Sequence, residues 1–471
     1  MKHKKQQYKE LEITSLAFEG FGIARLDGMV YFVKNAIPGD VVKALITKKR
    51  KSYIEATVEE IIKPSKFRRE PRCEYFNDCG GCALQNLPYE QQLHWKKQFV
   101  YDALTRIGKI NEPNVQNTLS APSEYFYRNK MEFSFSANRW LTKLEIESGE
   151  LNIKKDFALG LHTPKNFLKV IDIEKCYIQN NYANEILNLF RKISLEKKIN
   201  AYDSKTHNGF LKNLVIRYSN FEDKFMVILI TNQPKNENED EFFENVSNSL
   251  DFDELKISSL IWGINSSVSP VANGEIVVHK GAKYLTEVIL GIKFRISPFS
   301  FFQTNSLQLN NFVSKIIEIA DLKSTDVAFD LYCGAGSITL PAAKKVKEIT
   351  GFEIVNSAIE DARENAKNNN IENANFIAVD LHSKEIPEIM KNYSEIDVLF
   401  IDPPRAGMHQ NLMNHILEIK PPKIIYVSCN PTTQARDLEK LKEYYDLNIC
   451  VPVDMFPQTY HIESIIKLIK K

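Results

Sequence analysis

From Asp326 onward the sequence alternates strand-length apolar runs with helix-length amphipathic ones, a pattern that leaves few folds open. The runs are VAFDLYC, EITGFEI, NFIAVD, DVLFIDPP and KIIYVSC, and SAIEDARENAKNN between the second and third reads as a helix. Strands separated by helices at this spacing form a parallel, doubly wound sheet that binds ligands at the carboxyl ends of its strands. We assign this α/β domain to residues 290–471.

A chain of 471 residues is too long for one hydrophobic core, so further domains precede it. Residues 8–62 carry short alternating runs (LEITSLAF, MVYFV, DVVKALIT, YIEATVEEII) broken by Gly20, Gly22, Asp27-Gly28 and Pro38-Gly39. They predict a small antiparallel β-barrel over residues 1–63. PSKFRREPR has linker composition, and with a cysteine cluster and a helix over residues 90–107 it fills residues 64–122. Residues 123–289 alternate strand-like segments with polar loops, which suggests a mixed α+β domain.

Residues 1–72 hold 16 Lys and Arg against 9 Asp and Glu, whereas the rest of the chain holds 45 against 51. A basic N-terminal part points to a polyanionic partner, for which nucleic acid is the usual candidate, although a merely solvated basic face has the same composition. The acidic stretch 236–255 would repel a phosphate backbone and is expected to face away from it. No apolar run reaches the roughly 18 residues of a membrane span; the longest is residues 225–230. Residues 1–10 are basic with no apolar stretch behind them, so no secretory signal and no membrane partner are expected, and the compartment is the cytoplasm.

The first strand of the α/β domain runs into Asp330-Leu331-Tyr332-Cys333-Gly334-Ala335-Gly336-Ser337, a glycine-containing turn that opens a helix. Glu353 ends the second strand, where a carboxylate can hold ribose hydroxyls, and Asp380 ends the third, near an adenine position. The GxGxxG fingerprint is missing, because Thr339 stands where its last glycine would be. S-adenosylmethionine is therefore favoured over a nicotinamide dinucleotide. A plain structural turn flanked by solvent-facing acids is the competing reading.

Asp402-Pro403-Pro404-Arg405, Ser428-Cys429-Asn430-Pro431 and His461-Ile462-Glu463-Ser464 follow the fourth strand. Cys429 comes directly after KIIYVS, at the carboxyl edge of the sheet, where nearby positive charge or hydrogen bonding could supply thiolate. Carbon 5 of uracil is a poor nucleophile, and thiolate attack at carbon 6 turns it into an enolate carbon able to take a methyl group. A base must then remove the carbon 5 proton. Cys429 as nucleophile and Glu463 as base are the pair this chemistry requires. An inert buried cysteine and a surface acid are the bland alternatives.

DLYCGAGSITLP, FIDPPRAG, YVSCNPTT and DMFPQTYHIES, in this order, with SPFSFFQTN upstream, resemble the bacterial 23S rRNA (uracil-5-)-methyltransferases. Residues 8–62 resemble a TRAM domain, an OB-like RNA-binding barrel, so the likeness covers nearly the whole chain. It implies a Rossmann-like S-adenosylmethionine methyltransferase domain in which Gln303, Tyr332, Ser337, Glu353, Asp380 and Asp402 contact S-adenosylmethionine, Cys429 is the nucleophile and Glu463 the base. Ser337 and Asp380 stand where some members have asparagine.

Cys73-x5-Cys79-x2-Cys82 supplies three thiolates, and with a distant fourth either structural zinc or a [4Fe–4S] cluster would suit. The resemblance favours the [4Fe–4S] cluster with Cys176 as the fourth ligand, in a structural or RNA-facing role. The strip Tyr125 to Lys130 interleaves aromatic and basic residues and suits stacking on unpaired bases, though buried strand aromatics would read the same. The expected substrate is 23S rRNA, with a loop uridine flipped out to reach Cys429. A tRNA uracil-5-methyltransferase shares the catalytic set, but bacterial members of that group lack the barrel and the cysteines. A non-catalytic RNA-binding assembly factor would not need Cys429 and Glu463, and an amine methylator would leave Cys429 idle. The sequence names no protein partner, so a monomer is the default.

Overall fold

The structure, a computed structural model, describes residues 7–150, 153–268, 271–383, 386 and 396–471. The first six positions of the basic N-terminal stretch lie outside the described residues.

Alternating apolar residues build the first module from β1 (Tyr8–Glu12), β2 (Ser15–Leu16), β3 (Gly22–Leu26), β4 (Met29–Lys34), β5 (Val41–Lys49) and β6 (Tyr53–Lys63), in sheet order β1-β5-β6-β4-β3-β2. Leu11, Tyr31, Val33, Val42, Ala44 and Ile54 fill its interior. The expected antiparallel pairing is corrected at one place, since β4 and β6 run parallel. The segment between β4 and β5 is not a hairpin loop. Ala36, Ile37 and Asp40 are buried, and the Asp40 carboxylate accepts the Ile37 and Ser65 N–H groups (2.8 and 2.9 Å). The chain therefore crosses the barrel end, and β5 enters on the far side of β6.

The helix predicted over residues 90–107 is Tyr89–Arg106. Its Val100, Ala103 and Leu104 join the apolar cluster formed by Ala435, Leu438 and strands of the C-terminal sheet. Phe99 packs instead with Leu16, Ile37 and Leu84 of the barrel side.

The central sheet has eight strands: β7 (Lys130–Ser136), β8 (Arg139–Trp140), β9 (Ala158–Thr163), β10 (Asn166–Asp172), β11 (Leu211–Ser219), β12 (Lys224–Thr231), β13 (Ile257–Ile264) and β14 (Glu275–Gly281), in order β14-β13-β12-β11-β7-β9-β10-β8. The unbroken apolar run in β12 follows from coverage on both faces. Phe225, Val227 and Leu229 face one core, with helix Asn181–Glu196, and Met226, Ile228 and Ile230 face the other. The acidic stretch folds as helices Glu237–Asp240 and Phe242–Ser249, the latter burying Phe242, Phe243 and Val246. The second core continues through the hairpin β15 (Leu285–Ile289) and β16 (Ile292–Ile296) into the C-terminal domain.

There, β17 (Val327–Leu331), β18 (Glu348–Glu353), β19 (Ala374–Ala378), β20 (Val398–Ile401), β21 (Lys423–Ser428), β22 (Tyr445–Val453) and β23 (Glu463–Lys470) form one sheet in the order β19-β18-β17-β20-β21-β23-β22. The first five are parallel, as expected, and β23 inserts antiparallel to both β21 and β22. Strand order reverses between β17 and β20, the kind of switch point at whose carboxyl ends open α/β sheets bind ligands. No described helix is long and apolar enough to cross a membrane.

Candidate active site

Leaving β17, the chain turns through left-handed backbone at Tyr332 (φ 65°), Gly334 (φ 53°) and Gly336 (φ 87°) before helix Thr339–Ala343. A side chain at Gly336 would also press to 3.2 Å from Leu340 and 3.4 Å from Phe376, so only glycine lets the turn pack this closely. Asp330 is buried behind the turn, where Thr339 Oγ1 donates to its Oδ2 at 2.5 Å, and burial pushes its carboxyl up to about 7. Glu353 accepts the N–H groups of Gly334 (3.3 Å), Ile354 (2.8 Å) and Val355 (2.9 Å). Asp380 is exposed, its Oδ1 accepting the His382 N–H at 2.9 Å. Burial pushes Asp402 up to about 7.

Four expected cofactor residues, Tyr332, Glu353, Asp380 and Asp402, thus stand at the carboxyl ends of adjacent strands. Ser337 lies half-buried at the foot of the turn. Gln303 lies half-buried in the loop of residues 297–305; its carbonyl accepts from Asn129 Nδ2 (3.1 Å), and its neighbour Asn305 donates to Met455 O (2.9 Å). Among the described residues no hydrogen bond joins the Gln303 or Ser337 side chain to those four.

Cys429 and Glu463 meet through strand register. Ser428, the last residue of β21, pairs with Ser464 of β23, so the next residue on one strand and the preceding one on the other sit side by side. Gln434 Nε2 fixes this pairing from behind, donating to Tyr426 O (3.0 Å) and Ser464 O (3.3 Å). Asn430 caps helix Pro431–Leu441 and donates to Arg405 O at 3.1 Å, as does Thr433 Oγ1 at the same distance, which ties the Asp402-Pro403-Pro404-Arg405 loop to the cysteine turn.

Burial, then the Glu463 and Asp402 carboxyls, push the Cys429 thiol up to about 12, with Arg405 opposing. The positive charge and hydrogen bonding expected to favour thiolate are present, as Arg405 and a backbone hydrogen bond, but burial and the two carboxyls outweigh them in the free protein. Glu463 is 4% exposed and held well above the usual carboxylate range by burial and Asp402. His461 is pushed down to about 4 by burial and by Arg405, Lys96 and Arg128, so it is neutral at pH 7.

The family model described as tRNA (Uracil-5-)-methyltransferase matches residues 219–471, and the TRAM domain model matches residues 2–58. The chain belongs to the tRNA (uracil-5-)-methyltransferase family. It is an S-adenosylmethionine-dependent RNA methyltransferase with an N-terminal TRAM domain. It is 38% identical over 454 residues to an uncharacterized RNA methyltransferase of Bacteroides thetaiotaomicron, covering 96% of this chain and 99% of the relative. An uncharacterized RNA methyltransferase of Chlorobaculum tepidum is 38% identical over 471 residues, covering 99% and 97%. The crystal structure of the Pyrococcus abyssi tRNA (uracil-54, C5)-methyltransferase in complex with S-adenosyl-L-homocysteine superimposes with a TM-score of 0.73 at 28% identity, covering 98% of this chain and 100% of that one.

Sequence reasoning missed how this methyltransferase holds the segment 454–462 that leads into Glu463. Lys96 Nζ, fully buried, donates to Asp454 Oδ1 (2.6 Å) and Phe456 O (3.0 Å). Gln92 exchanges two hydrogen bonds with Gln458, both 3.0 Å. Ala83 and Leu84, just past Cys82, donate to Gln458 O (2.9 and 3.0 Å). The available signal was Gln92 and Lys96 one helical turn apart, on the side of the helix that also presents Phe99 and Ala103.

Cys73, Cys79, Cys82 and Cys176 line one pocket. Burial pushes their thiols up, Cys73 to about 11 and Cys82 to about 12. Among the described residues no group of three or more His, Cys, Asp or Glu forms a ready site for a metal ion. The aromatic strip divides. Tyr127 is buried with its hydroxyl donating to Pro457 O (2.9 Å), and Asn129 is buried against Gln303 O and Ser306, so neither is free to meet RNA. Tyr125 and Phe126 remain half-buried.

Proposed function

We propose that this enzyme methylates carbon 5 of a flipped-out uridine in 23S rRNA through a covalent bond between Cys429 Sγ and carbon 6. The observation that carries the reading is the Ser428–Ser464 register, which sets one thiol beside one buried carboxyl at the carboxyl edge of the sheet. Cys429 Sγ bonds to carbon 6 while its proton leaves to solvent, and the electron pair of the carbon 5–carbon 6 bond moves toward the carbonyl oxygen. S-adenosylmethionine, held by Gln303, Tyr332, Ser337, Glu353, Asp380 and Asp402, supplies an electrophilic methyl group that carbon 5 takes. The Glu463 carboxylate removes the carbon 5 proton, the Sγ–carbon 6 bond breaks, and the proton passes back to the thiolate. The raised affinity of Glu463 for a proton suits it to this last task.

Resemblance of the barrel and cysteine segment to rRNA members supports the substrate choice. A tRNA uridine is the second reading, favoured by the Pyrococcus abyssi tRNA enzyme, which aligns over 98% of this chain and so spans those same segments. Mass mapping of 5-methyluridine in cells lacking the protein tests both. Loss at a 23S position supports the first reading, loss confined to tRNA selects the second, and loss from neither overturns both.

The four cysteines hold a [4Fe–4S] cluster in this reading, supported by all four lining one pocket. Protein purified without oxygen should contain iron and sulfide in near-equal amounts, and Cys82→Ser should lose them. Zinc without iron would overturn the assignment.

A further inference from the structure

Arg72 is exposed, yet three rings surround it. Its guanidinium carbon lies 5.1 Å from the ring centres of Tyr125 and Phe126 and 4.8 Å from that of Tyr177. Its neighbours in sequence are spoken for: Arg68 pairs with Asp40 and Arg69 with Glu124. Among the described residues Arg72 has no ion-pair or hydrogen-bonding partner, so its N–H donors are unspent while its guanidinium carbon lies near three aromatic rings. Lys175 adds a second cation, 5.0 Å from the Tyr177 ring centre.

Phe126 has φ 55°, a left-handed conformation that bulky side chains avoid. The strain is held from both sides, by Phe126 N–H on Tyr177 O (2.9 Å) and Arg128 N–H on Ile178 O (2.7 Å). The result keeps the Phe126 ring 6.4 Å from Tyr177. Strained backbone that displays a half-exposed ring beside an unused guanidinium is the kind of outlier found at ligand sites. The strap is also fastened to the segment that leads into Glu463, through Glu124 to Gln458 Nε2 (2.9 Å) and Tyr127 to Pro457.

We infer that Arg72, Tyr125, Phe126 and Tyr177 form a second RNA-contact site, where an unpaired base of the substrate stacks on the rings and the adjoining phosphate takes the Arg72 donors. Aromatic faces with an unspent guanidinium match a single-stranded nucleotide. An acidic peptide would use the donors but leave the rings idle. The inference rests on the RNA-methyltransferase reading, but its test needs no methyl transfer.

The test is fluorescence anisotropy of the full chain with a short labelled oligouridylate across a salt series. Arg72→Ala should weaken binding several-fold and reduce the slope of log affinity against log salt by about 0.7, the loss of one single-strand phosphate contact. Phe126→Leu should weaken binding roughly 5- to 100-fold with the slope unchanged, the loss of one stacked base. S-adenosylmethionine affinity and melting temperature should match wild type in both. Folded variants that bind as wild type does, or a wild-type chain that does not bind the oligouridylate, overturn the site. If a variant melts early, photo-cross-linking of wild-type protein to a 5-iodouridine strand decides. An adduct on Tyr125, Phe126 or Tyr177 supports the site, and adducts elsewhere alone overturn it. Loss of 5-methyluridine in cells reports separately on the enzyme's function.

Discussion

With the Cys429 thiol held at about 12, its thiolate fraction grows tenfold with each pH unit through the neutral range. Alkylation of Cys429 by iodoacetamide, followed by mass spectrometry, should therefore accelerate about tenfold per unit between roughly pH 7 and 10; a plateau near 8 would refute the environment described. On the proposed mechanism Glu463→Gln would keep the nucleophile but could not take the carbon 5 proton, so it should accumulate a protein–RNA species that survives denaturing electrophoresis, whereas Cys429→Ala should form none. Normal turnover by Glu463→Gln would assign the base elsewhere. Asp330 offers a stability counterpart. Its carboxyl rises from 3.8 to about 7 on folding, so its contribution is full below the unfolded value and is lost as pH climbs through the folded one, at about 1.4 kcal/mol per unit between them. Urea titrations should show Asp330→Asn losing less stability than wild type between pH 5 and 8. Sequence order proposed Cys429 and Glu463 as a pair, and the strand register brings the two together. Sequence order could not give the sign of the field at the thiol, because burial, Asp402 and Glu463 arrive from separate strands and together outweigh Arg405.

At the scale of elements, the βα repeat was legible because its signal is local: each strand and helix carries its own period. The parallel β4–β6 pair was not, since it depends on where a six-residue crossing anchored by buried Ala36, Ile37 and Asp40 places β5. Tyr127 looked like its neighbours in the aromatic strip until packing separated them. The Lys96–Asp454 pair, both side chains 0% exposed, is a contact between a helix and a segment more than 350 positions away, beyond the reach of any periodicity. Lys96→Met alone strands a carboxylate in the core and should destabilise by about 3–5 kcal/mol. Combined with Asp454→Leu, most of that loss should return. Chemical denaturation of the single and double variants measures both, and a double variant no better than Lys96→Met would show that Phe456 O or the segment itself, not the charge, needs Lys96.

Across the whole molecule, the barrel is not a detachable bead. Phe18 lies edge-on to Phe99 and to Tyr460, with ring centres 5.9 and 5.4 Å apart, so deleting residues 1–63 would uncover apolar surface as well as remove charge. Point changes are the cleaner probe of its excess positive charge. Lys48, Lys49, Arg50 and Lys51 are all exposed around the turn between β5 and β6. Replacing all four with Ala should weaken RNA binding, lower the salt slope by as much as about 3, and leave S-adenosylmethionine affinity intact. An unchanged slope in a salt-series titration would remove this face from the RNA path. The Ser428–Ser464 register also bears on how such enzymes diverge. One cross-strand pair holds thiol and carboxyl together although 33 residues, 430–462, separate them in sequence. A one-residue slip within β23 would turn Glu463 to the opposite face of the sheet. What a lineage must preserve to keep Cys429 and Glu463 together is a ladder rung, so distant descendants are better recognised by that pairing than by the count of residues between the two.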